Sequence, residues 1–534
     1  MFATCPHLVD KQFKRLMNTS NTSTEIPQMW GHPKGLFYLF FAELWERFSF
    51  YGMRALLVLY MTKQLLFGDE MAFGVYAAYG SLVYMTPLIG GMLADKVLGY
   101  RKSIVLGGVL MAIGHFMLAI EHPFFFYGAL GIIIVGNGFF KPNISSFVGA
   151  LYKQGDAKRE AGFTLFYLGI NIGGMVAPLL CAWLGNLYGW HYGFGLAGIG
   201  MLVGLYFFTK GVNSGVFADK GLLPDKKVFE KKTLGLNKGQ LIWVLAFLSV
   251  PLFSLIIKFN EYEHYLVWAV TFLLIGILAY IYSTVSKVEQ KRLWVIVYFT
   301  TLATLFWAIF EQGGSSLTLF ADRNVNLVFM TAAQTNSINS GFIILLAIPF
   351  SLLWPFLDKK KKNPNSPFKF GIGLILLGLG YVAFGFSANH ADSLAQTPMF
   401  YLVAGYFIYT VGEMFISPIG LSKMTELAPA KFAAFIMGVW FLSSFYGHFF
   451  AGKIAKLTTV KAGESNSLTE GFIGKSVEYI TGMTQSAANE MGEAFQQLFS
   501  YVSVYAALGV TCILVGIFAL ILSPIVKRMM GGID

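Results

Sequence analysis

The sequence predicts an all-α membrane protein with fourteen spanning helices in a six, two, six order, on three observations. First, the 534-residue chain is 56% hydrophobic and only 13% charged, with a mean hydropathy of +0.61, whereas a soluble domain is about a quarter charged. A globule of that composition would expose most of its apolar side chains to water, so a soluble multidomain enzyme is excluded. Second, apolar stretches of roughly 20 residues, the length a helix needs to cross the hydrocarbon core, recur along the whole chain. Third, lysine and arginine cluster in alternate connections between those stretches, as orientation signals do. The net charge of +11 therefore points to a lipid bilayer and not to nucleic acid.

Residues 1–33 are polar and lack an uninterrupted apolar segment, which predicts a cytoplasmic N-terminal tail and no cleaved signal peptide. An N-terminal six-helix bundle over 34–210 follows, with spans near 35–63, 73–95, 103–120, 123–152, 161–184 and 190–209. A Lys-rich cytoplasmic linker, 211–238, leads to an inserted transmembrane hairpin over 239–290, with spans near 239–257 and 265–285. The C-terminal bundle, 291–534, has spans near 293–319, 329–356, 369–388, 398–424, 431–455 and 497–526. Before its last span lies a polar outer loop, 457–495, in which SVEYITGMTQSAANEMGEAF reads as an amphipathic helix. With the N-terminus inside, the inner connections hold Lys96, Arg101, Lys102, Lys153, Lys158, Arg159, Lys291, Arg292 and Lys359 to Lys362. The outer ones hold Asp69, Glu70, Glu121, Glu261, Glu263 and Asp392. This asymmetry predicts a multi-pass protein of the cytoplasmic (inner) membrane with both termini cytoplasmic.

Two six-helix halves joined by a basic linker is the organisation of major-facilitator transporters, whose site lies at the midplane between the halves. The connection GGMLADKVLGYRK, Gly90 to Lys102, resembles the loop signature of that superfamily. It predicts an inner-loop latch in which Asp95 holds Arg101.

A charge at the bilayer centre costs at least about 2.5–3.5 kcal/mol, so each one demands a reason. In FAELWERFSFYGMRALL, Glu43, Glu46, Arg47 and Arg54 fall on one helical stripe, with Phe50 and Tyr51 on or beside it. Four charges on one face cannot look at lipid and are expected to line the space between the halves. Lys141, Glu311 and Glu413 each sit in an otherwise apolar segment beside Gly or Pro. Polar partners recur one turn away, Tyr167 with Asn171, Trp307 with Glu311, and Glu413 with Ser417. Asn339 and Trp440 lie in later spans. Composition alone leaves Trp307 and Trp440 open between a pocket wall and simple packing.

Four carboxylates, Glu43, Glu46, Glu311 and Glu413, face three cations, Arg47, Arg54 and Lys141. One acid is left over, and an uncompensated buried carboxylate takes up a proton because burial penalises the charged form. A proton gradient can then drive flux, each charge crossing the field being worth about 2.3 kcal/mol per 100 mV. A cavity holding fixed cations and fixed carboxylates suits a zwitterion, either a short peptide or an amino acid.

These residues resemble the proton-dependent oligopeptide transporter (POT) family, whose first-helix motif E-x-x-E-R-F-x-Y-Y-G is similar to ELWERFSFYG, Glu43 to Gly52. A second motif, F-Y-x-x-I-N-x-G, stands intact as FYLGINIG, Phe166 to Gly173, and the stretches around Lys141 and Glu413 also resemble the family. The resemblance implies a proton-coupled symporter for di- and tripeptides, with the proton as coupling ion, no other cofactor, no metal and no obligate protein partner. It implies proton coupling at Glu43, Glu46, Arg47, Glu311 and Glu413, and a gate salt bridge between Arg54 and Glu311. It further implies that Lys141 interacts with Glu413 and with peptide. By the same resemblance, Tyr51, Tyr84, Tyr167 and Asn171 contact the peptide backbone and carboxylate. Asn339 and Glu413, with Ser417 nearby, hold its amine, and Trp307 and Trp440 wall the side-chain pockets. Two departures stand out: Phe50 replaces the first Tyr of the motif, and Ser340 follows Asn339 where the family often has Pro. A same-fold carrier of an amino acid, nitrate or another anion remains an alternative, and a peptide sensor on a transporter scaffold is a remoter one.

Other signals are set aside. Gly193, Gly195 and Gly198 form G-x-G-x-x-G, but no strand precedes them and the stretch reads as a spanning helix. No Walker A sequence, nucleophile–base pair or metal-ligand set emerges, so no enzyme is expected. Cys5, Cys181 and Cys512 are too scattered for a disulfide framework. His115 and His448 have no acid within a turn and are expected to be hydrogen-bonded core histidines. The sequons at Asn18 and Asn21 fall on the expected cytoplasmic tail, where glycosylation does not occur.

Overall fold

In a computed structural model of the chain, the described residues are 26–533 apart from 154–155, 157, 234 and 460–470. The expected tail, its sequons, Cys5 and the middle of the outer loop thus lie largely outside them. The described chain is a stack of long helices, fourteen of them with 20 residues or more. Twelve described stretches are long and apolar enough to cross a membrane. One of these, Asp69–Leu118, contains two helices, and the first helix falls outside the twelve. Its buried charges explain that exclusion.

The N-terminal half comprises α1 (Lys34–Lys63), α2 (Asp69–Leu93), α3 (Gly99–Leu118), α4 (Pro123–Ala150), α5 (Lys158–Tyr188) and α6 (Trp190–Asn213). Helix α1 packs on α5 and α6, and α3 packs on α4. Gly107 and Gly136 face one another there, each so close to the other's carbonyl that a Cβ would collide, which lets two helix backbones touch. The glycines of the G-x-G-x-x-G stretch lie inside α6, with Gly193 against Leu56 and Gly198 against Phe116.

The hairpin is α7 (Lys238–Lys258) and α8 (Glu263–Thr284). An Asn237–Gln240 capping box starts α7. The C-terminal half begins at α9 (Lys287–Phe310), opened by a Ser286–Glu289 capping box, in which two side chains satisfy the first free amides of the helix. The span expected over 293–319 is not continuous. It breaks into a tight turn at Glu311–Gly314 and resumes as α10 (Ser316–Asn324). The Gly pair following Glu311 is the physical reason.

The next helix, α11 (Ser337–Lys359), starts eight residues later than expected, because 329–336 form turns. It runs on through Ser340, which is buried, and its prolines are Pro349 and Pro355. Helices α12 (Ser366–Phe386), α13 (Met399–Leu427) and α14 (Ala433–Leu457) complete the core with α17 (Glu493–Met529). The expected amphipathic helix of the outer loop is two short ones, α15 (Gly471–Thr481) and α16 (Gln485–Met491), divided where Gly482 adopts a positive φ of 64°. Three two-residue strand pairs tie turns together, among them Val325–Asn326 running parallel to Thr397–Pro398.

The start of α1 and the end of α17 share one face of the molecule, termed here the termini face, where Arg292 donates to the Met530 and Gly531 carbonyls. The halves meet along α2 with α14 and α5 with α11.

A polar chamber between two helical halves

Between the halves lies a cavity of about 290 Å³. Tyr51 and Arg54 of α1, Tyr84 of α2, and Tyr167 and Asn171 of α5 line one wall. Trp307 of α9, Glu311 of the break, Asn339 of α11, and Glu413 and Ser417 of α13 line the other. Ten of the residues singled out from sequence thus share one chamber.

The break at Glu311–Gly314 sets the chamber's closed end. The Gln312 amide donates to the carbonyls of Ala308 (3.1 Å) and Ala451 (2.9 Å), and Ser316 donates back to it (2.7 Å). These bonds satisfy backbone groups that the interrupted helix would otherwise leave bare in an apolar setting. Glu311 therefore projects from a fixed turn and forms an ion pair with Arg54. Arg54 also donates to the Tyr76 hydroxyl, and His448 Nε2 lies 3.5 Å from Glu311. A side chain at Gly314 would collide with Tyr76 and crowd Arg54, so glycine there admits both. Beyond this pair, on the face opposite the termini, Arg323 binds Asp69 (2.8 Å) and Tyr501 (3.0 Å), and Lys63 binds Asp322 (2.6 Å). Lys456 lies 3.9 Å from Glu70. The ion pairs among these each join one half to the other.

The charges do not form one stripe-lined cavity as the helical wheel predicted. Glu43, Glu46, Arg47 and Lys141 are absent from the chamber lining. They make a separate cluster nearer the termini face: Arg47 is held by Glu46, Lys141 pairs with Glu43, and Arg47 Nε lies 3.6 Å from Glu43. Glu43 and Glu46 are completely buried. Arg54 stands eleven positions after Glu43 on α1, about 16 Å of helix rise, so the two charge groups are distinct. Phe50, the departure from the motif, lies under the Arg47 guanidinium at 4.8 Å, where a ring face and not a hydroxyl is used.

Four further expectations are corrected. Lys141 does not reach Glu413, which instead accepts from Asn339 (3.0 Å), itself bonded to Thr410 (3.0 Å). Arg101 is not latched to Asp95; it donates to the carbonyls of Lys220 (2.8 Å) and Ala218 (2.6 Å), because the basic linker folds back over it. Trp440 is outside the chamber, 7% exposed and packed against Gly420 of α13. Of the two histidines, His448 is the buried, hydrogen-bonded residue expected, its Nδ1 lying 3.0 Å from the Ser444 carbonyl, while His115 is not. Both His115 ring nitrogens lack a hydrogen-bond partner among the described residues, and His448 has its acid on another helix.

Sequence reasoning missed Tyr406 and Tyr409, which also line the chamber. Tyr409 lies one turn before Glu413, and the same spacing rule that singled out Ser417 could have found it. His448 carried no local signal, since its partner is more than 130 positions away.

A chamber between two packed helical halves, lined by charged, hydroxyl and aromatic side chains and spanned by an ion pair between the halves, is the arrangement of a membrane carrier. Comparison with known proteins specifies the class. The POT family matches residues 101–470. The chain is 38% identical over 469 residues to Peptide transporter YePEPT of Yersinia enterocolitica subsp. palearctica serotype O:3 (strain YE-P4), covering 81% of this chain and 90% of that one. It is 35% identical to Uncharacterized transporter YclF of Bacillus subtilis (strain 168), over 95% and 97% of the two chains. A crystal structure of a mutant of peptide transporter POT in complex with alafosfalin superposes with a TM-score of 0.77 at 32% identity, covering 96% of this chain and 98% of that one. The chain belongs to the POT family.

Proposed function

We propose that the protein is a proton-coupled symporter that imports di- and tripeptides by alternating access, with the termini face cytoplasmic. The carrying observation is the pairing pattern. Three of the four intramembrane acids have a cation, Glu43 with Lys141, Glu46 with Arg47 and Glu311 with Arg54, while Glu413 has only an amide among the described residues. Charge balance within the membrane-spanning helices asks for one proton, and a peptide amine is the cation that replaces it at Glu413. Arg54 offers the opposite pole for a carboxylate, and Tyr51, Tyr167 and Asn171 offer hydrogen bonds to the backbone between. The peptide-transporting relatives support this substrate class, and the basic connections on the termini face support a cytoplasmic assignment in the inner membrane. An anion such as nitrate has no use for a carboxylate–amide pole.

The test is uptake in proteoliposomes under an inward proton gradient, comparing alanine, dialanine, trialanine, tetraalanine and nitrate. Accumulation of dialanine and trialanine that protonophore abolishes is expected. Uptake indifferent to pH and protonophore, or displacement of dialanine by nitrate and not by trialanine, would overturn the reading. Binding without counterflow would make the protein a sensor.

A further inference from the structure

From sequence, Glu263 belongs to the outer connection of the inserted hairpin, and nothing there says what the hairpin touches. The structure supplies its neighbours on both halves. Helix α7 packs on α4, where Gly131 faces the Val250 carbonyl and the Ser254 hydroxyl. The turn after α7 places Asn260 against α2 so closely at Gly74 that any side chain there would collide with it. Helix α8 then crosses onto the other half. Val267, Val270 and Leu274 pack with Leu442, Phe445 and Phe449 of α14 and with Tyr84 and Met85 of α2. Thr271 is hydrogen-bonded to the Tyr446 hydroxyl at 2.9 Å. The hairpin is therefore laid over the seam where the two halves meet.

Glu263 enters that seam. It is 5% exposed, with Ser81 of α2 beside its carboxylate and the positive charges of Lys453 and Lys456 on α14 within electrostatic reach. Glu70 of α2 and Glu261 of the same turn are the other charges around Lys456. One Glu263 oxygen has no hydrogen-bond partner among the described residues. A buried carboxylate set between a hydroxyl-bearing turn of α2 and the positive charge of α14 keeps both surroundings only while the two helices stay together.

Resting on the alternating-access reading above, we propose that Glu263 is a positioning residue of the transport cycle. The hairpin clasps the α2–α14 seam, and Glu263 favours the state in which the face opposite the termini is closed. Glu263 does not line the chamber, so its loss changes the balance of states and not the affinity for peptide.

The experiment places spin labels at Leu66→Cys and Val328→Cys, both exposed on that face and on opposite halves, and reads the distance distribution in proteoliposomes. Glu263→Gln is expected to raise the ratio of parted to closed molecules about fivefold or more, the scale of one charge-assisted hydrogen bond. Dialanine affinity should be unchanged, and Glu263→Asp should restore the original ratio. Should Glu263→Gln not assemble, the pair Lys453→Met and Lys456→Met is expected to shift the distribution the same way. An unchanged distribution in an assembled Glu263→Gln protein, or a shift that Glu263→Asp shares in full, overturns the clasp alone. A single distance in the unsubstituted protein under every peptide and proton condition overturns both the clasp and alternating access.

Discussion

Two buried charge groups share helix α1 and differ in one respect. The cluster of Glu43, Glu46, Arg47 and Lys141 lies wholly within the N-terminal half, on α1 and α4. The group of Arg54, Tyr76, Glu311 and His448 takes two members from each half. Rigid rocking of the halves leaves every distance in the first group unchanged and must stretch the Arg54–Glu311 pair of the second. A gate can therefore be built only from the second. The first can respond to a proton or to peptide by exchanging partners in place, which is the part a coupling site must play.

The largest expected effect tests the inter-half group. Removing one partner of a buried pair costs about 3–5 kcal/mol, so Arg54→Ala should cut the initial rate of dialanine uptake about 100-fold or more. A rate within a few-fold of the unsubstituted protein would break the distinction. Next, Glu46→Gln should abolish gradient-driven accumulation while counterflow of dialanine persists. At 100 mV the loss of one coupled charge is worth about 2.3 kcal/mol, or about 50-fold in steady-state accumulation. If counterflow fell equally, the intra-half cluster would be part of the gate after all.

Smaller effects sharpen the comparison at the chamber itself. Glu413→Gln removes a charged acceptor worth about 1.5–3 kcal/mol. Dialanine competition should weaken about tenfold or more, while N-acetylated dialanine, which has no amine to place, is little changed. Phe50→Tyr should alter uptake by about twofold or less, since the ring face under Arg47 is retained. A large gain would mean that the absent hydroxyl matters more than the stacking.

The helices were legible because spans are written in composition. Every expected span has a helix in the structure, and the errors fall where glycine breaks one, at Glu311–Gly314 and Gly482, or where turns replace its start, at 329–336. The chamber residues were legible because an ionisable group in an apolar segment is costly enough to be noticed singly. Their pairing was not. Helical spacing orders residues on one helix but says nothing of which neighbour they meet, so it merged two charge groups into one stripe. The family resemblance joined Lys141 to Glu413, the loop signature kept Arg101 with Asp95, and local spacing left His448 without an acid. Glu263 was hidden for the opposite reason: a carboxylate at the end of an apolar span looks solvated until a neighbouring helix covers it.

The stitching of the broken helix by Gln312 has a mechanical corollary. Because its amide bridges the turn to α14, Glu311 and His448 ride on one preassembled jaw whose internal bonds survive each stroke. Closure then demands no refolding on that side, and the approach of a single guanidinium from the other half suffices to complete the lock.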